Sequence, residues 1–169
     1  MDSGQYVIMI ATNEVGLLKD PLVNRCTYVY TFEPYTTEEL REMAENLFNE
    51  RGRDNVNPEF FDSLVTWSGG VPRILRNLVN RFDVVFKTFT PTTTEELVEL
   101  AEGVLNLDER GFDAQDRRYI RVLEDYGRCS LSLISAATGL TKETIQKYIE
   151  PKLIGMRVIR ISSRGRELV

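Results

Sequence analysis

Histidine is absent from the 169 residues. That removes imidazole general bases, Ser-His and Cys-His nucleophile pairs, and histidine metal ligands. Cysteine occurs only at Cys26 and Cys129, too far apart for a metal or redox spacing, and both read as reduced thiols. No apolar run approaches the ~20 residues that span a bilayer. The opening MDSGQYVIMIATN has no basic flank before its apolar stretch, so it is not read as a signal peptide, and a cytoplasmic location is expected.

What remains is an ordinary globular composition, 42% hydrophobic and 28% charged, enough for one domain or two small ones. The net charge of −5 is unevenly spread. Residues 1–33 carry two cations against four anions, residues 34–107 seven against thirteen, and residues 108–169 twelve against nine. An acidic middle and a basic end point to different partners for the two parts.

Hydrophobic spacing divides the chain at the same places. YVIMIA (6–11) and CTYVYTF (26–32) have the apolar and β-branched character of buried strands. Two strands make no stable sheet alone, so residues 1–33 read as a piece of a larger α/β domain. From Pro34 the period changes to that of helices. Thr36 or Thr37 caps one carrying Leu40, Met43, Ala44, Leu47 and Phe48. Asn57-Pro58 opens a second, with Phe60, Phe61, Leu64 and Trp67. A third follows Pro72, with Ile74, Leu78, Phe82 and Phe86, and Thr92–Thr94 caps a fourth. Four amphipathic helices with short joints predict a bundle, and its aromatics sit at core spacing. LDERGFD (107–113) reads as a linker. Three more helices follow, then MRVIRISSRGRELV as a hairpin around Ser162–Gly165. The expected architecture is mainly α: an N-terminal α/β remnant (1–33), a helical domain (34–107) and a winged helix (108–169).

Phosphate chemistry needs a cradle, and G-x-x-x-x-G-K-[ST] is absent, as is an apolar strand ending in Asp-Glu. Three later features are present instead: IATN (10–13) ends an apolar run in polar groups, KDPLVNRC (19–26) places Arg25 before the second run, and GGVPR (69–73) sets Pro72 and Arg73 at a helix start. Taken singly, each has a plain reading as a strand end, a surface arginine and a helix start. Between Pro151 and Arg166 stand Lys152, Arg157, Arg160, Arg164 and Arg166 with no acid among them. With Gly165 at the turn, and Lys142 and Lys147 on the preceding helix, this is phosphate-contact chemistry of a sequence-neutral, salt-dependent kind. The alternative is a solvated hairpin.

Together these runs resemble a known family. L-D-x-x-G-x-D-x-x-D-R-R (107–118), E-x-I-x-K-x-I-E-P-x-L-I (143–154) and R-G-R (164–166) are similar to the C-terminal region of RuvB, a Holliday-junction branch-migration motor of the AAA+ class. The likeness covers the chain from about Tyr6. It implies the end of an ATPase domain, a helical lid and a winged-helix DNA-binding domain. Thr12 or Asn13 then corresponds to sensor 1, Arg25 to an arginine finger acting on a neighbouring subunit, and Arg73, after Pro72, to the sensor 2 arginine of the lid. The intact family member uses ATP and Mg²⁺, forms a hexameric ring, works in DNA recombination and repair, and grips duplex DNA or a Holliday junction. Without a nucleotide cradle this chain is expected to bind no ATP and to hydrolyse none alone. The hairpin that docks the partner RuvA is also missing. Cys26 and Glu14 depart from the family pattern beside the finger and sensor. Two other readings fit the residues: a stand-alone winged-helix DNA-binding remnant without ATPase activity, and an initiator or clamp-loader relative.

Overall fold

A computed structural model describes residues 8–12, 16, 18–89 and 93–169. The chain forms two compact units, Met1–Glu33 and Pro34–Val169.

In the first unit a single turn of helix, α1 (Asp20–Val23), starts after Lys19 with Pro21 in its first turn, where a missing N–H costs nothing. Among the described residues the two expected strands do not form. Residues 8–11 and 26–32 have no regular structure, and the Tyr6 and Val7 part of the first lies outside the described residues. A strand needs a neighbour for its N–H and C=O groups, and among the described residues neither segment pairs with another. Ile8 and Phe32 stay 84% and 95% exposed, while Tyr28 and Tyr30 stack on each other at 6.3 Å.

The second unit begins as the periodicity predicts. Helix α2 (Thr37–Asn49) is closed by a capping box in which Thr36 and Glu39 satisfy each other's orphan N–H groups. Helix α3 (Pro58–Ser68) is capped by Asn57, and α4 (Pro72–Phe86) begins at Pro72. Helix α5 (Thr94–Leu105) is capped by Thr93, with Glu96 as its reciprocal partner. Leu40, Ala44, Phe48, Phe60, Leu64, Leu75, Val79 and Phe82 share one core. The Phe60 ring meets Phe82 edge-on at 4.7 Å.

A second core lies in the C-terminal part. Helix α6 (Ala114–Tyr126) has a capping box from Asp113 and Asp116, α7 (Leu131–Thr138) is capped by Ser130, and α8 (Lys142–Thr144) by Thr141. The chain then widens into a π-helical turn, Ile145–Ile149, before α9 (Glu150–Gly155). Strands β1 (Ile159–Ser162) and β2 (Gly165–Leu168) form an antiparallel hairpin in which Ile159 faces Leu168 and Ser162 faces Gly165. Tyr119, Leu123, Ile134, Ile145, Leu153 and Ile159 fill the space between them.

The expected linker is instead a packed joint. Leu107 belongs to the first core and Phe112 to the second. Between them the Asp108 carboxylate accepts from the N–H groups of Arg110 and Phe112, and the Trp67 indole donates to the Glu109 carbonyl at 3.2 Å. The end of α3 touches the end of α9 backbone to backbone. Gly69, at φ 60°, lies on the Lys152 main chain, and a Cβ on Gly155 would overlap the Gly69 carbonyl. The glycines of SGGVPR thus serve a close approach between two helices as well as a helix stop.

Candidate nucleic-acid interface

The hairpin projects its turn, Ser163 and Arg164, into solvent. The turn is tightened by the Ser162 hydroxyl, which accepts from the Arg164 N–H at 3.2 Å and donates to the Gly165 carbonyl at 3.3 Å. Its base is bolted down. Cys129 and Arg166 exchange a reciprocal pair of backbone hydrogen bonds, both 2.8 Å. The Arg166 guanidinium donates to Glu150 Oε1 at 2.8 Å, and the same carboxylate accepts from the buried Tyr119 hydroxyl at 3.1 Å. Burial, and after it the Glu150 carboxylate, push the Tyr119 phenol far up. The bond to Glu150 likewise raises Arg166. Both groups keep their protons, so the bolt stays closed across the physiological range.

These contacts give three of the assigned residues structural roles. Arg166 is held by Glu150 and is not free for phosphate. Lys152 lies inside, its ammonium 2.6 Å from Asp116 Oδ2 and 2.6 Å from the Gly111 carbonyl. Its position on the inner face of α9 overrides its cationic character, and a charge buried there has to be paired. Gly165 is required by the protein's own backbone: its φ is 134°, and a Cβ would stand 2.5 Å from the Cys129 carbonyl.

The remaining cations divide into two sets. Arg160 and its cross-strand partner Glu167 meet at 2.8 Å, and Glu167 also takes Arg128. The hydrogen bonds from Arg128 and then Arg160 hold the Glu167 carboxyl below its ordinary range. Lys147 pairs with Glu143 one helical turn back, on the solvent side, a contact of small net strength. Arg164, Arg157 and Lys142 are exposed and have no ion pair among the described residues. Arg157 reaches this position through a left-handed backbone, φ 56°, between α9 and β1. The candidate interface is therefore a wing fixed at its base, with Arg164 at its tip, Arg157 at its root, and Arg160 and Arg128 partly neutralised by Glu167. Sequence reasoning missed Arg128, which lies outside the basic run, and Glu167, the acid just beyond it.

The other assigned residues are not part of the hairpin. Arg25 is exposed in the turn after α1, and Thr12 is exposed in the irregular segment before it; Asn13 lies outside the described residues. Arg73 is exposed on the first turn of α4, but its guanidinium is engaged. It sits 4.8 Å from the centre of the Tyr148 ring and donates to the Lys147 carbonyl.

Comparison with known proteins bears on the fold. Residues 109–169 match the family model of the RuvB C-terminal winged helix domain. The chain is 32% identical over 171 residues to the Holliday junction branch migration complex subunit RuvB of Kosmotoga olearia, an alignment covering 98% of this chain and 49% of that protein. The RuvB of Nitratiruptor sp. is 31% identical, with 98% of this chain and 50% of that protein covered. The solved structure of the Thermotoga maritima RuvB Holliday junction branch migration motor superposes with a TM-score of 0.73 at 26% identity, over 91% of this chain and 53% of that one. The chain spans about half the length of the curated relatives it matches.

Proposed function

We propose, because this chain belongs to the RuvB family and matches the C-terminal half of its members, that it is the DNA-gripping arm of a Holliday-junction branch-migration motor. One observation carries this reading. The hairpin is fixed at its base by Arg166, Glu150, Tyr119 and Cys129, while Arg164 and Arg157 are left free at its tip and root. A rigid wing with free guanidinium groups suits tracking along a phosphate backbone. The exposed groups at its tip and root are arginines, which suit phosphate contacts, and the proposed grip is sequence-neutral. In this reading residues 34–107 are the lid and 108–169 the DNA-binding domain. The setting is a cytoplasmic ring of six copies engaged with duplex DNA and a RuvA-like partner. Among the described residues no helix is long and apolar enough to cross a membrane.

ATP and Mg²⁺ are a different matter. The sequence has no phosphate-binding glycine loop of the form G-x-x-x-x-G-K-[ST]. No catalytic step is therefore assigned to this chain. Arg25, Thr12 and Asn13 are proposed as the finger and sensor of a nucleotide site completed by residues outside this chain, and Arg73 as its lid contact.

The test is fluorescence anisotropy of this chain on a labelled duplex over a salt series. Affinity should fall steeply with salt and be the same for unrelated sequences. Arg164→Ala and Arg157→Ala should each lower the slope of log affinity against log salt by about 0.9. Binding that ignores both substitutions, or that selects one sequence, overturns the reading.

A further inference from the structure

Pro151 has no N–H to give the carbonyl four residues before it, and that carbonyl belongs to Lys147. A proline ring inside a helix also crowds the same carbonyl. The helix responds by widening just upstream. Over Ile145–Ile149 it becomes a π-turn, with the Glu150 N–H reaching back five residues to Ile145. Such bulges open the ladder and turn a carbonyl outward. The group that meets the Lys147 carbonyl is the guanidinium of Arg73, from the other core of the same unit, and it lies at the same time over the adjacent Tyr148 ring at 4.8 Å.

We infer that Lys147, Tyr148 and Pro151 form a seat built for Arg73, and that occupancy of this seat is a latch between the bundle and the wing. The proline frees the acceptor, the π-turn presents it, and the tyrosine supplies the aromatic face that a guanidinium favours. Tyr148 and Pro151 are positioning residues: they act on where Arg73 goes and so on how firmly the two cores are joined. The latch rests on this geometry alone. Its regulatory meaning rests on the proposed role of Arg73 as a phosphate contact: a guanidinium drawn off the Lys147 carbonyl towards a phosphate would vacate the seat. Drawing Arg73 away would loosen the wing's attachment without any change in the wing itself.

The experiment is NMR on this chain without nucleotide, following the Arg73 side chain and amide exchange at the joint. In the native chain the Arg73 side-chain protons should be shifted upfield by the Tyr148 ring, and its guanidinium protons should exchange slowly. Tyr148→Phe should keep both signatures, and Tyr148→Leu should remove the ring shift. Pro151→Ala restores an N–H for the Lys147 carbonyl, so it should release Arg73 and speed exchange of the Gly70 and Val71 amides several-fold. The Phe60 and Val79 amides in the bundle core should be unaffected. Arg73→Ala and Tyr148→Leu should each lower the melting temperature by about 2–4 °C, and the double variant by little more than one of them. An Arg73 spectrum that Tyr148→Leu and Pro151→Ala both leave unchanged overturns the latch. Loss of nucleotide sensing in an assembled motor, with these spectra intact, would count against the phosphate role of Arg73 and not against the latch.

Discussion

Rings fill the bundle: Phe60 alone meets Phe48, Trp67, Phe82 and Phe86 at 6.2, 6.4, 4.7 and 6.0 Å. The wing's core is mostly aliphatic, but it encloses two ionic knots, Asp116 with Lys152 and Glu150 with Arg166 and Tyr119. Apolar packing is non-directional, so it sets volume more than orientation. A buried ion pair contributes little net stability, but it tolerates few geometries. The bundle is thus built to be solid. The wing is built to stand in one place, and both knots lie where that place is decided, one at the joint and one at the hairpin base.

The largest effect should come from the bundle. Phe60→Ala removes a fully buried ring and should cost toward the upper end of about 3–5 kcal/mol in denaturant unfolding. Phe60→Leu should cost far less, because the core asks for apolar volume. If the wing obeyed the same rule, Lys152→Ala would be mild. It should instead cost about 3 kcal/mol by stranding Asp116, while Lys152→Met with Asp116→Asn should recover most of that. Burial lifts the Asp116 carboxyl above its ordinary value, with the Lys152 charge opposing. A raised acid favours the folded state below its unfolded value near 3.8, and that advantage is lost as pH rises through the folded value. The deficit of Lys152→Ala should therefore shrink when unfolding is measured at pH 3 instead of pH 7. An equal deficit at both would place the damage in packing and erase the contrast between the cores.

Gly165→Ala comes next. A methyl group 2.5 Å from the Cys129 carbonyl, at a φ that side chains avoid, should cost about 1–3 kcal/mol. Full stability together with weakened DNA binding would restore Gly165 as a DNA contact.

Most helices of the second unit were legible because they begin with their own cap, and α4, which has no side-chain cap, because Pro72 opens it. Thr36, Asn57, Thr93, Ser130 and Thr141 all accept from the first turn they precede, and the hairpin follows from turn residues between two apolar pairs. The strands expected at 6–11 and 26–32 were not, because strand character in a sequence is only a readiness to pair and says nothing of whether a neighbour is there. The basic run was visible as charge, but its division was not. Lys152 and Arg166 lie on a helix and a strand that turn them inward, whereas Arg157 and Arg164 lie in the exposed turns beside those elements. A cation opposite an acid from a distant element, as with Arg166 and Glu150, leaves no local mark in the chain. Pro151 was a further overlooked signal: a proline inside an apolar-periodic helix frees a carbonyl, and the question of what meets it leads to Arg73.

The smallest structural effect belongs to Glu167, and it separates the wing's two jobs. Its carboxylate is bound by Arg128 and Arg160 on the exposed side of the hairpin, away from the Glu150 knot that holds the base. Being lowered by these partners, it stays ionised at neutral pH. Whatever stability it adds is present above its unfolded value and fades only as pH falls through the folded one. Glu167→Gln should leave the melting temperature nearly unchanged, since exposed pairs contribute little. It should tighten duplex binding by about two- to five-fold at low salt, because two guanidinium groups then face the phosphates unneutralised, and the gain should vanish as salt screens them. If the variant melts several degrees lower and DNA affinity is unmoved, Glu167 is a third bolt of the hairpin, and the line drawn between a fixed base and a free surface has been put in the wrong place.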